Sequence, residues 1–265
     1  MAVVKDFYRA IDRWAPFGTQ MSFDNSGFLV GRSTAPVTRV LVALDVTGTV
    51  IEEAHRLGAQ LIVAHHPVIF RPLKAVTDGD LTGENVLRMA ELGIAAICAH
   101  TNLDAAQGGV NCALARELEL SGIGQLHPDG VDEQGREYGI GRVGWAHEPG
   151  MSAGEYARFV KEKLGTSSVR FVDCGKPVSK VAVGGGSCAD MMVDALAKGC
   201  DTFVTADVKY NFYLEARQLG INLMDAGHYA TENVVCTPMV DYLKEQFPGV
   251  EVFLSSDHCE AYANV

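Results

Sequence analysis

Short, unbroken apolar runs, each followed by a stretch of helical periodicity, constrain the fold of this chain more than any other feature. RVLVAL at 39–44, QLIVA at 60–64 and IAAICA at 94–99 have almost no polar face. A strand with one wet face alternates polar and apolar residues, whereas a strand covered on both sides does not. Helical stretches over 49–57, 83–92 and 109–118 follow these runs. Strand–helix–strand alternation of this kind builds a parallel sheet with helices on both faces. The pattern returns as a strand at 180–183, a helix at 188–198, a strand at 202–205, a helix at 210–218 and a strand at 221–224. A long helix over 228–247 and a strand over 251–254 complete it.

The middle of the chain differs. Residues 126–144 are rich in Gly, Asp and Glu, and REYGIGRVG at 136–144 reads as one strand with glycine irregularities. A helix is expected over 152–164, opened by Ser152 as N-cap with Glu155 three residues on, the spacing of a capping box. A strand follows at 169–172. At the N-terminus Val4, Phe7, Ile11 and Trp14 fall at helical spacing and predict an amphipathic first helix. The expected fold class is therefore α/β: two α/β lobes with mostly parallel sheets, the second inserted into the first. Residues 1–125 and 222–265 make the discontinuous first lobe, and 126–221 the insert.

Composition narrows the function classes. Lys and Arg number 22 against 33 Asp and Glu, a net charge of −11, and such a surface repels nucleic-acid phosphates. The seven cysteines are odd in number and show no C-x-x-C spacing, which argues against a disulfide framework and a zinc knuckle. No apolar run approaches the ~18 residues of a membrane span, and no targeting segment is evident, so a cytoplasmic location is expected.

Candidate ligands gather directly after predicted strands. His65 and His66 follow QLIVA, His100-Thr101-Asn102-Leu103-Asp104 follows IAAICA, Asp207 follows TFVTA, and His228 follows INLMDAG. In a parallel sheet the carboxyl ends of the strands share one side, and loops there converge on a crevice. Adjacent histidines on a strand point to opposite faces, but a turn at Pro67 lets both face the crevice. His228 and Glu232, four apart at a helix start, stack on one helical face. Together the segments supply three imidazoles and two carboxylates from His65, His66, Asp104, His228 and Glu232. That exceeds the needs of one four-coordinate ion and suits two. Two ions about 3.5–4 Å apart lower the pKa of a bridging water and neutralise charge on a phosphate or tetrahedral intermediate. Mixed imidazole and carboxylate ligation is compatible with Zn, Fe, Mn, Co or Ni. His100 and Asp207 are candidate catalytic residues beside the ligands.

Other features have two readings or a plain one. Gly184-Gly185-Gly186-Ser187 either cradles an anion with its N–H groups or makes a tight turn; it lacks the Lys of a Walker A loop. His55, His127, His147 and His258 show no partner pattern and read as structural or surface residues.

AHHPVIF, AHTNLDAA, VAVGGGS, TADVKYN and DAGHYATE, in this order, resemble the dinuclear metal-centre family known as GTP cyclohydrolase I type 2 homologues, the Ngg-interacting-factor-like proteins. FDNSGFLVGR at 23–32 and LDVT at 44–47 also resemble family segments. The resemblance spans nearly the whole chain. It implies that His65, His66, Asp104, His228 and Glu232 are metal ligands, with Glu232 bridging. It further implies His66 and Asp104 on one ion, His65 and His228 on the other, and a ring-shaped homohexamer. Two departures stand out. Many members read T-G-D-x-K-Y-H, whereas Ala206 and Asn211 replace the glycine and the final histidine here, so a proton-transfer role is not expected at 211. The inserted domain of the longest members is also expected to be absent.

Two functions follow as expectations. One is a metal-dependent hydrolase acting on a nucleotide-like or phosphorylated small molecule, by water attack on a C–N, ester or phosphate bond. The other is a non-catalytic metal-binding or regulatory protein.

Overall fold

Every apolar run named above becomes a strand. In chain order the computed structural model, which describes residues 1–265, holds β1 (Gly27–Val30), β2 (Arg39–Ala43), β3 (Leu61–Ala64), β4 (Ala95–Cys98), β5 (Ser121–Gln125), β6 (Gly130–Val131), β7 (Glu137–Tyr138), β8 (Arg142–Trp145), β9 (Arg170–Val172), β10 (Lys180–Val183), β11 (Thr202–Thr205), β12 (Asn222–Asp225) and β13 (Glu251–Leu254). The helices are α1 (Val4–Trp14), α2 (Gly48–Leu57), α3 (Leu81–Leu92), α4 (Thr101–Ala105), α5 (Val110–Glu117), α6 (Ala153–Leu164), α7 (Met192–Ala197), α8 (Tyr210–Leu219), α9 (His228–Glu232) and α10 (Cys236–Gln246). They fall into two units. The first comprises Met1–Ala106 with Cys236–Cys259, the second Gln107–Val235 with Glu260–Val265.

The first unit is built on a five-stranded sheet in the order β1-β4-β3-β2-β13. All neighbours are parallel except the β1–β4 pair. Because side chains alternate across a sheet, the continuous apolar strands feed two faces at once. Leu41 and Ile62 pack with Ile51 of α2 and Met89 of α3. Val63 lies on the opposite face, where it lines a small apolar cavity with Ile11 and Trp14 of α1 and Met239 and Leu243 of α10. The expected first helix is therefore present, with Val4, Phe7 and Ile11 buried.

The second unit holds a six-stranded sheet in the order β5-β8-β10-β11-β12-β9. Its centre, β10–β11–β12, is parallel, and antiparallel strands flank it. Val181, Val183, Val204 and Met224 pack with Tyr156 and Val160 of α6. Ala182, Phe203 and Leu223 pack on the other face with Met192 and Ala195 of α7 and Ala216 of α8. The capping box at Ser152 and Glu155 is present.

Three expectations change. The second unit is wider than 126–221 because β12 hydrogen-bonds between β11 and β9, which keeps residues 222–235 with the second sheet. His228 and Glu232 consequently belong to the second unit and not to the first lobe. The strand expected over 136–144 splits into β7 and β8, which lie in different sheets. Gly141 at φ 75° turns the chain there, and the carbonyls of Gly139 and Gly141 bend around the buried Arg142 guanidinium, accepting from Nη1 at 2.8 and 2.7 Å. The long helix over 228–247 breaks into α9, a 3₁₀ turn over Asn233–Val235 and α10. Pro238 has no N–H to give the carbonyl of residue 234, and its ring clashes there in a continuous α-helix. No helix is long and apolar enough to cross a membrane.

Candidate metal centre

In the first unit the donors sit where parallel strands end. The β2–β3 ladder runs on through His65 and His66, whose amides donate to Ala43 and Leu44, and Pro67 then ends it. His100 follows β4 and caps α4, so Asp104 lies in the first turn of that helix. The ligand nitrogens of His65, His66 and His100 all lie within 4.8 Å of one another. Their ring centroids are 5.0 to 5.5 Å apart. His65 Nε2 is 3.6 Å from Asp104 Oδ1, with the imidazole fully buried.

Each ring is held in one tautomer. His65 Nδ1–H donates to the Ala99 carbonyl at 2.8 Å. His66 Nδ1–H donates to Asp45 Oδ1 and His100 Nδ1–H to Asp24 Oδ1, both at 2.7 Å. An oxygen that can only accept places the proton on Nδ1 and turns the Nε2 lone pair toward a ligand. Metal-binding histidines are oriented in this way. The Asp24 side chain is fully buried. Burial alone drives its carboxyl pKa up, but hydrogen bonds from His100, Thr101 and Ser26 overcome it and hold the group well below the usual carboxylate range.

The second unit presents a smaller set. Gly227 leads from β12 into α9, and the four-residue spacing brings His228 Nε2 to 3.0 Å from Glu232 Oε2. Two ligands each about 2 Å from one ion span such a distance. His228 Nδ1–H donates to Asp207 Oδ2 at 2.7 Å, so this imidazole also presents Nε2. Asp207 sits at φ 49°, in the left-handed region that non-glycine residues enter at a cost. Asp225, nearly buried at the end of β12, ties the surrounding loops together. Its carboxylate accepts from Val208 N at 3.1 Å, Tyr213 Oη at 3.2 Å and Gly227 N at 3.3 Å, and from the Arg170 guanidinium. It thus anchors both the loop that carries Asp207 and the residue before His228.

The glycine triplet resolves into the tight turn. Gly185 N donates to Asn111 Oδ1 at 2.8 Å and Gly186 N to Thr231 Oγ1 at 3.0 Å, so these amides serve the protein itself. A Cβ on Gly186 would lie 2.1 Å from Glu232 Oε1. The absence of a side chain there lets the loop close over the carboxylate.

The donor set fits divalent transition metal: imidazole nitrogens in a fixed tautomer beside carboxylates, with no thiolate among them. Sequence reasoning named the ligand candidates but not Asp24, Asp45 or Asp225. Asp45 carried the same signal as the histidines, since it follows a strand directly. Asp24 lies in a loop far from His100 in sequence; its segment FDNSGFLVGR resembles the family's, but no residue pattern there points to an imidazole partner.

The comparisons agree with this architecture. A protein of Clostridium perfringens named GTP cyclohydrolase 1 type 2 homolog is 32% identical over 96% of this chain and 95% of its own length. A Streptomyces coelicolor protein of the same name is 36% identical over 88% of this chain and 82% of its own. The crystal structure of a Bacillus cereus protein related to NIF3 superposes with a TM-score of 0.92 at 26% identity, covering 100% of this chain and 99% of that one. The model of the Duf34/NIF3 (NGG1p interacting factor 3) family matches residues 2–260, and this chain belongs to that family.

Proposed function

We propose that this protein holds two divalent metal ions through His65, His66, Asp104, His228 and Glu232, and that it is a metal-dependent hydrolase of a nucleotide-like or phosphorylated small molecule. The observation that carries the metal reading is shared by four histidines. His65, His66, His100 and His228 each commit Nδ1–H to an oxygen acceptor, which leaves Nε2 as the ligand atom of His65, His66 and His228 and as the remaining ring nitrogen His100 turns toward them. Nucleic-acid surfaces orient lysine and arginine toward a ligand; this chain fixes imidazoles by their Nδ1 hydrogen bonds instead. When bound there, divalent ions would supply Lewis-acid activation of water and offset negative charge. Around them the chain's own groups orient the rings: Asp45 holds His66, Asp24 holds His100 and Asp207 holds His228. His100 is placed to assist the His65 and His66 pair, and Asp207 acts through His228. The relatives' name, GTP cyclohydrolase 1 type 2 homolog, supports a nucleotide-like substrate, and the proposal includes a homohexameric assembly.

Elemental analysis of purified protein tests the site. We expect up to two transition-metal ions per chain in the wild type and clear loss in His65→Ala/Glu232→Ala. Unchanged metal content in that double variant removes the assignment. Turnover is then assayed on nucleotides, phosphoesters and cyclic amides. Metal-dependent hydrolysis lost in Glu232→Gln supports the enzyme, whereas stoichiometric metal with no turnover across the panel leaves a non-catalytic metal protein.

A further inference from the structure

Two phenylalanines lie exposed beside the imidazole cluster of the first unit. Phe23 is 62% and Phe70 43% accessible. Single exposed apolar residues are ordinary on protein surfaces, but these two form a pair. Their ring centroids are 6.5 Å apart at 70°. Phe70 also meets His100 edge-on, at 6.0 Å and 82°.

The pair is held in place by the same short segment that orients His100. Phe23, Asp24 and Asn25 are consecutive, and each has its own attachment. Asp24 accepts from His100 Nδ1 at 2.7 Å, from Thr101 N at 3.0 Å and from the Thr101 hydroxyl at 2.6 Å. Asn25 Nδ2 donates to the carbonyl of Ile69 at 2.6 Å, the residue before Phe70. The loop bearing one ring is thereby pinned to the loop bearing the other, and both are pinned to the imidazole. Burying either ring in the core would remove apolar surface from water at about 25 cal/mol per Å². The fold instead uses these partly buried hydrogen bonds to present both rings to solvent beside the imidazoles.

We propose that Phe70 and Phe23 form a stacking subsite for a planar heteroaromatic ring, carried by the small molecule whose reacting group is presented to His65, His66 and His100. Aromatic faces bind flat rings by offset stacking, with little dependence on the ring's substituents. The subsite rests on the metal-centre reading for the reacting group, but ring binding is measured independently of metal content and turnover.

Isothermal titration of the metal-loaded full chain tests it. The ring-bearing probes are GTP, ATP and pterin; the ring-less ones are tripolyphosphate and pyrophosphate. We expect at least one ring-bearing probe to bind the wild type, and to bind Phe70→Leu about ten-fold more weakly. Leucine keeps apolar bulk but has no π face. Phe70→Tyr should restore affinity, Phe23→Leu should weaken the same probe, and affinity for the ring-less probes should not move. Metal content should equal that of the wild type in all three variants. The subsite is overturned if no ring-bearing probe binds, or if Phe70→Leu weakens ring-bearing and ring-less probes alike. It is also overturned if the leucine variants change the oligomeric mass while ring affinity stays the same, because the pair then seats a second copy of the chain. Failure of the wild type to hold metal while ring binding persists would remove the metal reading and leave the stacking subsite standing.

Discussion

The two units position their candidate metal-site residues in different ways. In the first, His65, His66 and His100 extend from the ends of β3 and β4, so the regular ladder of a parallel sheet fixes where they start. In the second, His228 and Glu232 sit on a five-residue helix whose placement depends on irregular backbone: a glycine pressed against Glu232, Asp207 at positive φ, and a buried Asp225 joining the loops. A strand end is held by many small contributions, and no single neighbour decides it. The second set hangs on a few individual contacts. Substitutions away from the ligands should therefore damage the second set more than the first.

The largest effect is expected at Asp225. Its carboxylate accepts four hydrogen bonds, three of them from Val208 N, Tyr213 Oη and Gly227 N. Asp225→Ala leaves these donors in a poorly solvated position, where each orphaned group costs about 1–3 kcal/mol. We expect a loss of about 3 kcal/mol in urea unfolding of the metal-free protein, together with weakened metal binding at His228. A loss near zero would show that the surrounding loops hold themselves.

Gly186→Ala comes next. The added methyl would lie 2.1 Å from Glu232 Oε1 at a residue whose φ is +64°, so neither the backbone nor the neighbour accommodates it without movement. Overpacking and left-handed strain together cost roughly 2–3 kcal/mol. Displacement of the carboxylate should lower metal content more than stability predicts. Metal analysis set against the unfolding midpoint separates the two, and a variant that loses stability while keeping full metal would break the link between this loop and Glu232.

These contacts also show where sequence is legible. The strand-end rule works within each sheet: His65, His66, His100 and Asp104 follow strands of the first sheet, and Asp207 and His228 follow strands of the second, because the carboxyl ends of parallel strands in one sheet share one side. Glycine conformation and proline position were harder. Gly141 ends one strand and admits another sheet, and Pro238 divides a helix that looks continuous by periodicity. The boundary near 222 was misplaced because an apolar strand such as INLM carries no mark of the sheet it joins. Partner carboxylates such as Asp24 and Asp225 are set by tertiary contacts and leave almost no local trace.

A direct test of the comparison pairs the two orienting carboxylates that share one role. Asp45 holds His66 in the first unit and Asp207 holds His228 in the second, each at 2.7 Å. Loss of such a partner typically weakens metal binding about 10–100-fold. Because β3 also fixes His66, Asp45→Asn is expected near the low end of that range. Asp207→Asn is expected near the high end, as the loop that carries it is strained. Competition with a chelator of known affinity gives both numbers, and equal losses would mean that the sheet adds nothing to the placement of His66.

The smallest effect concerns how the first unit secures its own strand end. Glu53, buried on α2, accepts from the hydroxyls of Ser255 and Ser256 and from the amides of Ser256 and Asp257. That turn brings His258 to Leu44, whose amide donates to Nδ1 at 3.0 Å, one residue from Asp45. Burial raises the Glu53 pKa, but the hydrogen bonds outweigh it and the net shift is downward from 4.5. A carboxylate with a lowered folded pKa binds fewer protons when folded, so its contribution is complete above the unfolded value and is lost as pH falls through the folded one. Glu53→Gln should cost about 1 kcal/mol near neutral pH. The difference from wild type should shrink as the pH drops below 4.5; the Glu53 charge also raises the His258 pKa against its burial, so both groups shape the profile. Unfolding midpoints measured from pH 7 to pH 3 give the profile. A gap that stays constant over that range would mean that the glutamate holds the turn by shape and not by charge.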